Sequence, residues 1–379
     1  MNMASNMSKA KSNKNRVVIK IGSSLITDNG RRLNLDLINS ITKQISAIKE
    51  TGVTISIVSS GAVAFGMSRL NWSIRPKSLH DLQAAAAIGQ IGLARAYQDS
   101  FEKHGLQAAQ ILLTHDDLTH RTRYLNARST LRTLIELGAI PIVNENDSVA
   151  IDEIKFGDND TLAALVTNLV EADLMILLTD QNGLYTSNPR ENLDAKLVKE
   201  ASVDDPNLDK MAEGAGSQFG RGGMQTKITA ARKAAKSGAR TIIANGMAAD
   251  ILIEIISGNF VGTTLLPTKP ILTSRKQWLG SHLQSRGILT LDQGAVRALV
   301  DERKSLLPIG VRETKGDYNR GDVVICVDAS GNKVATGLIN YNSTETRKII
   351  GFPSQDIERL IGYVNDPELI HRDNLAIDK

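Results

Sequence analysis

The sequence is poor in cysteine and in long apolar runs, and each shortage excludes a class of protein. Its 379 residues include a single cysteine, Cys326, so neither an intrachain disulfide nor a cysteine zinc site is possible. No apolar run approaches the roughly 20 residues that a membrane-spanning helix needs. Because one unpaired cysteine is typical of a reducing compartment, we expect a cytoplasmic protein that makes no membrane contact.

The sequence also has only a small excess of one sign of charge over the other. The formal net charge is +4 at pH 7, and the first sixteen residues account for all of it through Lys9, Lys11, Lys14 and Arg16. These residues are polar and lack an apolar segment, so we expect residues 1–16 to be a disordered tail and not a secretory signal. The rest of the chain is neutral overall, which argues against a nucleic-acid-binding face.

The length exceeds what one hydrophobic core ordinarily organises, and this predicts two domains. Over residues 17–268, apolar strand segments alternate with segments of helical period. This alternation is typical of an α/β domain with a doubly wound, mainly parallel open sheet. From about residue 275 the pattern changes to short strands and turns around one helix, with a hairpin at "DASGNK". We therefore expect a small, mainly-β domain over residues 285–365.

Polar clusters follow the predicted strands of the larger domain. In an open parallel sheet the binding site forms where the strands end, at their carboxyl edge. We therefore expect the polar clusters to lie together at one edge of the sheet; they are 22–24 (GSS), 59–61 (SSG), 144–147 (NEND), 179–180 (TD) and 245–246 (NG).

Two lysines stand beside these clusters. Lys20 interrupts the apolar segment "VVIKIG". It is either an edge-strand lysine that points to solvent or a lysine beside a phosphate-binding loop. Lys227 ends "FGRGGMQTK", which does not match the P-loop pattern. Its glycines allow a ligand close to the backbone, and Thr226 and Lys227 begin a helix whose amide end favours anions. A flexible glycine loop without a ligand is the alternative.

The densest polar stretch is "NENDSVAIDEIKFGDND", at residues 144–160. It is either a solvated acidic loop or a binding loop held by rigid elements, and we favour binding. Asp147 is suited to bind an ammonium group, Asn159 to donate to a carboxylate, and Asp160 to anchor lysines. The hydroxyls of "SSGAV" are suited to hold a carboxylate, although a turn that needs Gly61 explains that motif equally well. In "LLTDQNGLY" a hairpin explains the glycine but not the Thr-Asp pair.

Taken in order, these motifs resemble the amino-acid kinase family, and the resemblance covers nearly the whole chain after the tail. The residues that carry it are "VVIKIGSSLIT", "VSSGAVAFG", "PIVNENDSVA", "KFGDND", "LLTDQNGLYTSNPR" and "GRGGMQTK". The C-terminal region resembles a PUA domain. That appendage is found on many bacterial members that act on glutamate, and it distinguishes them from the acetylglutamate, aspartate and uridylate kinases of the same fold.

The resemblance implies ATP-dependent phosphorylation of the γ-carboxylate of L-glutamate to γ-glutamyl phosphate. This is the first step of proline biosynthesis, and inhibition by L-proline is implied with it. The resemblance further implies Mg²⁺ carried by ATP and a homo-oligomer, either a dimer or a tetramer. A carboxylate with an unperturbed pKa of about 4.3 is already ionised at neutral pH, so the reaction needs no general base. Catalysis would then consist of positioning and charge neutralisation.

The same resemblance assigns roles to the matching positions. The residues it implies to be catalytic are Lys20, Lys227 and Asp160. Those implied to bind the amino-acid substrate are Ser60, Gly61, Asn144, Asp147 and Asn159. Those implied to bind ATP are Lys20, Thr179, Asp180, Arg221, Gly222, Gly223, Met224, Gln225, Thr226 and Lys227. Two positions depart from the family pattern on the nucleotide side: Asn188, where aspartate is common, and Arg221, where a small residue is common.

Three other interpretations compete with this one. The first is another acyl kinase of the same fold, which substrate assays would distinguish. The second is an RNA-binding protein, because PUA domains occur in such proteins. Residues 275–379 carry fifteen Lys and Arg against fourteen Asp and Glu, so this region lacks the basic excess that RNA contact usually needs. The third is an inactive relative, against which the retained Lys20, Asp160 and Lys227 argue.

Overall fold

The chain forms two compact units. A computed structural model describes residues 15–27, 32–150, 159–189, 191–212, 223–268 and 285–378. The first unit comprises Met1–Leu113, Arg132–Ala234 and Ala239–Leu266, and the second comprises Thr114–Leu131, Ala235–Gly238 and Pro267–Lys379. Residues 1–14 of the predicted tail lie outside the described residues, as do residues 269–284 between the two predicted domains.

The first unit is built on an eight-stranded sheet. Its strands are β1 (Arg16–Ile21), β2 (Thr54–Ser59), β3 (Ala108–Leu113), β4 (Ile140–Glu145), β5 (Leu174–Thr179), β6 (Glu200–Ser202), β7 (Arg240–Asn245) and β8 (Thr263–Leu266). They lie in the order β3-β4-β2-β1-β5-β7-β8-β6. Every pair is parallel except β7 with β8. The prediction of a doubly wound, mainly parallel sheet is confirmed.

Helices alternate with these strands along the chain. They are α1 (Ser23–Ile26), α2 (Leu35–Glu50), α3 (Ala62–Arg69) and α4 (Leu79–Glu102), then α5 (His115–Thr119) and α6 (Arg121–Glu136), then α7 (Asn159–Val170), α8 (Asn207–Ala212), α9 (Met224–Ala235) and α10 (Ile251–Ile256). Of these, α5 and the first part of α6 belong to the second unit. Among the described residues, none of the helices is both long and apolar enough to cross a lipid bilayer.

Helix α2 shows how the sequence specifies such an element. Its isoleucines recur at helical spacing, and Ile38, Ile41 and Ile45 are buried in the core. Asn34 caps the first turn, because its Oδ1 accepts from the backbone N–H of Leu37 at 3.1 Å. The chain then leaves the helix through Gly52 at φ +87°, a conformation that favours glycine.

Two glycines bring α3 and α4 into direct contact. A Cβ on Gly66 would lie 1.7 Å from the carbonyl oxygen of Ala85, and one on Gly89 would lie 1.9 Å from that of Ala62. Only glycine therefore permits this approach of the two backbones. As a result, α4 lies close against the helix that directly follows the end of β2.

The second unit contains a five-stranded sheet of β9 (Gly287–Leu291), β10 (Val311–Gly316), β11 (Val323–Val327), β12 (Lys333–Leu338) and β13 (Leu375–Ile377). The order is β10-β9-β11-β12-β13, and only β11 with β9 is parallel. The predicted hairpin at "DASGNK" connects β11 with β12. The prediction of a mainly-β domain is confirmed, and its sheet continues past residue 365 into β13.

The helices of this region differ from the prediction of a single one. The described residues from 285 onward contain three α-helices: α11 (Gln293–Val300), α12 (Ser343–Ile349) and α13 (Ile357–Ile361). The segment "RKII", predicted to be strand or turn, lies at the end of α12. A reciprocal cap explains this, because Asn342 Oδ1 accepts from the N–H of Glu345 while Glu345 Oε2 accepts from the N–H of Asn342.

The second unit also includes residues 114–131, which the sequence prediction assigned to the larger domain. Leu125 packs in a small cluster with Val323 and Leu338. The buried Arg128 donates through Nη1 to Asn374 Oδ1. These contacts join residues about 200 or more positions apart, so no local sequence pattern could have indicated them.

Candidate active site

Five parallel strands of the first unit, β1, β2, β4, β5 and β7, end at one edge of the sheet. The predicted polar clusters lie at the last residues of these strands or directly after them. Side chains that are far apart in sequence therefore meet at this edge, as expected for an open α/β sheet.

The lysine–aspartate cluster consists of Lys20, Asp160 and Lys227. Lys20 Nζ lies 2.7 Å from Asp160 Oδ1, and Lys227 Nζ lies 3.1 Å from Asp160 Oδ2. Thr226 donates through Oγ1 to the same Oδ2 at 2.7 Å. Lys20 is in β1, between β2 and β5, and only 5% of it is exposed. This position rules out the alternative of an edge-strand lysine pointing to solvent.

Asp160 is fully buried, in the first turn of α7. Burial by itself would raise the pKa of its carboxyl, but the charges of Lys20 and Lys227 outweigh that effect and hold the pKa well below its usual range. The carboxylate is therefore ionised at every pH at which the protein would act.

Lys227 is almost completely buried in α9. Burial is the largest influence on its ammonium group and lowers its pKa, and the charge of Lys20 adds to this effect. The charges of Asp160 and Asp180 act in the opposite direction without reversing it. Formally the cluster combines two cations with one anion, which leaves one positive charge in excess. An arrangement of this kind suits the binding of an additional anion.

The helix start at α9 continues the lysine–aspartate cluster. Besides its bond to Asp160, Thr226 Oγ1 lies 2.8 Å from the carbonyl oxygen of Gly223. Met224 is buried, and Gln225 donates through Nε2 to Asp209 Oδ1 at 2.8 Å, so its side chain is bound to α8. Arg221 and Gly222, also predicted to contact ATP, lie outside the described residues.

The amide cluster consists of Gln90, Asn144 and Asn159. Asn159 Nδ2 lies 3.0 Å from the carbonyl oxygen of Ser59, 2.9 Å from Ser60 Oγ and 2.9 Å from Asn144 Oδ1. Asn144 Nδ2 in turn donates to Gln90 Oε1 at 2.7 Å. All three side chains are buried. The cluster thus joins α4, β4 and α7 to the end of β2.

From the sequence, Asn159 is suited to donate to a ligand carboxylate, whereas in the structure its NH₂ group is directed at protein acceptors. Three protein acceptors surround its two amide hydrogens, while its Oδ1 is buried and meets no donor among the described residues. Gln90 was not predicted at all. The available signal was a single polar side chain within the Ala- and Gly-rich segment "AAAAIGQIGLA" of α4.

The remaining predicted substrate-binding residues lie next to the amide cluster in the chain. Gly61 has φ +103° and precedes α3, so the turn after β2 needs glycine. Asp147 is 5% exposed, in a turn after β4 in which the N–H of Ala150 donates to the carbonyl oxygen of Asn146 at 2.9 Å.

Two side-chain hydrogen bonds lie at the ends of β5 and β7, and the second of them joins the two strand ends. Thr179 Oγ1 donates to Asp180 Oδ1 at 3.1 Å, and Asn245 Nδ2 donates to Asn182 Oδ1 at 3.0 Å. The "QNG" turn does not form a tight hairpin, because Tyr185 instead makes an isolated antiparallel bridge with Leu197.

Comparison with known families agrees with this fold. The model of the amino acid kinase family matches residues 15–245, and that of the PUA domain matches residues 287–361. The chain therefore belongs to the amino acid kinase family, as the sequence motifs predicted, and is a kinase with a C-terminal PUA domain.

Individual curated relatives are similar to this chain over nearly its whole length. The chain is 57% identical to the glutamate 5-kinase of Ectopseudomonas mendocina, over 96% of this chain and 97% of that protein. It is 56% identical to the glutamate 5-kinase of Nitrosospira multiformis and 55% identical to that of Pseudomonas aeruginosa, with the same coverage of each chain.

Two solved structures are similar at 17% sequence identity. They are a UMP kinase from Bacillus anthracis, with a TM-score of 0.48 over 67% of this chain and 97% of that one, and an isopentenyl phosphate kinase from T. acidophilum, with a TM-score of 0.44 over 66% and 99%. Both scores are below 0.5, so neither likeness bears on the function of this chain.

Proposed function

We propose that the chain catalyses ATP-dependent phosphorylation of the γ-carboxylate of L-glutamate, giving γ-glutamyl phosphate and ADP in the first step of proline biosynthesis. The proposal is supported by relatives named glutamate 5-kinase that are 55–57% identical over 96% of the chain. The single structural observation that carries it is the buried lysine–aspartate cluster where the parallel strands end.

The proposed reaction is an in-line transfer. A γ-carboxylate oxygen of glutamate attacks the γ-phosphorus of ATP, and the bond from that phosphorus to the bridging oxygen of the β-phosphate breaks. The bonding electron pair leaves with ADP. No proton has to be removed, because the attacking carboxylate is already ionised. The difficulty is to bring one anion up to a polyanion, which is a task for fixed positive charge.

Lys20 and Lys227 would supply that charge to the transferring phosphoryl group. Asp160 would act through them as a positioning residue, since both of its oxygens face the lysines. Burial makes the arrangement effective, because charges act more strongly away from water than in it. It also fixes the direction of each ammonium group before the substrate arrives.

Mg²⁺ would be carried by ATP. Both oxygens of Asp160 are engaged by Lys20, Lys227 and Thr226, so this carboxylate is not offered to a metal. Among the described residues, we find no group of three or more His, Cys, Asp and Glu placed to hold an ion. The metal, when bound with ATP, would neutralise charge on the phosphates.

The two substrates would occupy different strand ends. Those proposed to bind glutamate lie at or just after the ends of β2 and β4 or begin α7: Ser60, Gly61, Asn144, Asp147 and Asn159. Those proposed to bind ATP are Lys20 in β1, Thr179 and Asp180 at the end of β5, and the stretch from Gly223 to Lys227 at the start of α9. Arg221 and Gly222, which lie outside the described residues, complete the proposed set. Strands β1 and β5 are neighbours in the sheet, which supports a γ-phosphate near Lys20.

L-Proline would inhibit by competing with glutamate. It keeps the α-carboxylate and a positively charged α-nitrogen but has no γ-carboxylate. It could therefore occupy the end of the site near Asp147 and leave the end near Lys20 empty.

We further propose a homo-oligomer, either a dimer or a tetramer, in the cytoplasm. The exposed apolar side chains Ile88 and Ile91 on α4 support association between copies. The single, buried Cys326 is compatible with a reducing compartment. Light scattering of the purified chain would measure the oligomeric state.

A hydroxamate assay tests the reaction directly, because hydroxylamine converts acyl phosphates to hydroxamates. Glutamate, ATP and Mg²⁺ should give γ-glutamyl hydroxamate, and glutamine, which has no free γ-carboxylate, should give none. N-Acetylglutamate and aspartate are the comparison substrates. If one of these two gave the faster reaction, the chain would be a different acyl kinase of the same family.

A further inference from the structure

Gln90 is a buried polar side chain to which the proposed reaction assigns no task. It lies in α4, its side chain is 8% exposed, and its Oε1 accepts from Asn144 Nδ2 at 2.7 Å. Neighbouring Gly89 packs directly against the backbone of Ala62. Because that contact leaves no room for a side chain, the position of Gln90 relative to α3 is fixed.

The backbone determines which way each amide of the cluster faces. The carbonyl oxygen of Ser59 can only accept, so the group of Asn159 that faces it at 3.0 Å must be the NH₂. The N–H of Glu145 can only donate, so the group of Asn144 that faces it at 2.9 Å must be the carbonyl oxygen. These two backbone groups fix both amides without any reference to a ligand.

One consequence concerns Asn144. Since its oxygen faces Glu145 and Asn159, its NH₂ must face the other way, where Gln90 Oε1 lies. Asn144 is only 2% exposed. Without Gln90, this buried donor would lose the acceptor that the structure gives it, which is costly inside a protein.

The other consequence concerns Asn159. Its two amide hydrogens are shared among three protein acceptors, and in the described part of the chain its Oδ1 has no donor. A buried amide oxygen of this kind needs a donor, and a bound ligand can supply one. In an α-amino acid the donor is the α-ammonium group.

We propose that Gln90 is a positioning residue of the amino-acid site, which acts through Asn144 to hold Asn159 so that Asn159 Oδ1 accepts from the α-ammonium group of the substrate. This inference rests on the proposed function and adds two things to it. It names a residue of α4 that touches neither substrate, and it gives Asn159 the role of acceptor.

The test is steady-state kinetics of full-length Gln90→Met, which keeps the size of the side chain and removes the acceptor. The KM for glutamate should rise about tenfold, which corresponds to about 1.4 kcal/mol. The kcat at saturating glutamate and the KM for ATP should stay near the wild-type values. Gln90→Glu keeps an oxygen in place and should restore much of the affinity for glutamate.

Gln83→Met is the matched control, because it makes the same substitution in the same helix at a partly exposed site whose side chain contacts His80. It should leave all three constants unchanged. If Gln90→Met does not fold, Gln90→Asn makes the same test, since its oxygen is one methylene short of Asn144.

An unchanged KM for glutamate in a folded Gln90→Met or Gln90→Asn variant would overturn the proposal. Equal losses in Gln90→Met and Gln90→Glu would do so too, because the effect would then come from packing and not from the acceptor. A wild-type protein that does not phosphorylate glutamate would instead refute the proposed function, and the two failures are therefore distinguishable.

Discussion

The lysine–aspartate cluster and the amide cluster are adjacent, and they are built on opposite principles. Asp160 belongs to the first and Asn159 to the second, although they are consecutive residues in the first turn of α7. In the first cluster every charged group has an opposite charge within 3.1 Å. In the second, neutral groups bond to one another, and Asn159 Oδ1 is left over among the described residues.

The difference shows how each cluster can respond to a ligand. The charged cluster carries an excess positive charge, and it acts at a distance on any anion that enters. The amide cluster acts only on contact, and its selectivity depends on which end of each amide is presented. We therefore expect changes in the first cluster to affect catalysis and stability, and changes in the second to affect recognition of the amino acid.

The largest effect should come from Asp160→Asn, which leaves two buried lysines without their carboxylate. Removing one partner from a buried ionic group typically costs about 3–5 kcal/mol of unfolding free energy. Urea denaturation measures it. The control is Asp99→Asn, which breaks an exposed pair with Arg95 and should cost about 0.5 kcal/mol or less. Equal losses in the two variants would show that the buried cluster contributes no more to stability than an exposed ion pair does.

The effect of Asp160→Asn on the free energy of unfolding should depend on pH. The pKa of Asp160 is lowered in the folded state, whereas in the unfolded chain it is about 3.9. Its contribution to stability is therefore complete above that unfolded value and is lost as the pH falls below it. The difference in stability between the wild type and Asp160→Asn should be widest near neutral pH and narrow below about pH 4. The cost of Gln90→Met should not vary with pH in this range, because amides do not titrate.

Lys227→Ala should lower kcat on the order of 10²-fold or more, with little change in the KM for glutamate. The reason is that its charge matters most as negative charge develops on the phosphoryl group. Lys236→Ala, at an exposed lysine just beyond α9, is the control and should have normal kinetics. A near-normal kcat for Lys227→Ala would contradict the interpretation of the glycine-rich stretch as a phosphate clamp.

Asp147→Asn keeps the shape of the side chain and removes its charge. It should weaken glutamate and proline together, by about 2 kcal/mol for each, because both ligands bring a charged nitrogen to the same place. The measurement is the initial rate against glutamate at several fixed proline concentrations, for wild type and variant. Proline inhibition that excess glutamate does not relieve would indicate a separate regulatory site.

The smallest effect should come from Tyr97→Phe, which removes a buried hydroxyl 3.0 Å from Ser59 Oγ. Burial raises the pKa of Tyr97, so this hydroxyl stays protonated and the effect should be independent of pH near neutrality. We expect a loss of about 1 kcal/mol of stability and a smaller rise in the KM for glutamate than Gln90→Met produces. Tyr318→Phe removes a buried hydroxyl in the second unit and should leave that KM unchanged. A larger rise for Tyr97→Phe than for Gln90→Met would mean that the turn after β2, and not the amide cluster, sets affinity.

The sequence by itself determined the central strands and the longer helices of the first unit, and it nominated the charged residues of the candidate site. The spacing of the isoleucines in α2 and the apolar runs of the central strands are local patterns, and local patterns are preserved in the fold. Lys20, Asp160 and Lys227 are nominated by their sequence motifs together with the family resemblance that those motifs carry. A lysine or aspartate carries the same sign of charge wherever it is placed, and a buried charge requires a partner.

Only the tertiary structure decided how these residues meet and what the neutral ones do. The bond between Gln90 and Asn144 spans 54 positions, and that between Asn159 and Ser60 spans 99. An asparagine has a donor and an acceptor at one end, so its sequence position does not say which one it offers. That choice is made by the carbonyl of Ser59 and the N–H of Glu145. The grouping of residues 114–131 with the second unit could not be predicted from the sequence either. It depends on contacts such as that of Leu125 with Val323, which form only when the chain has folded.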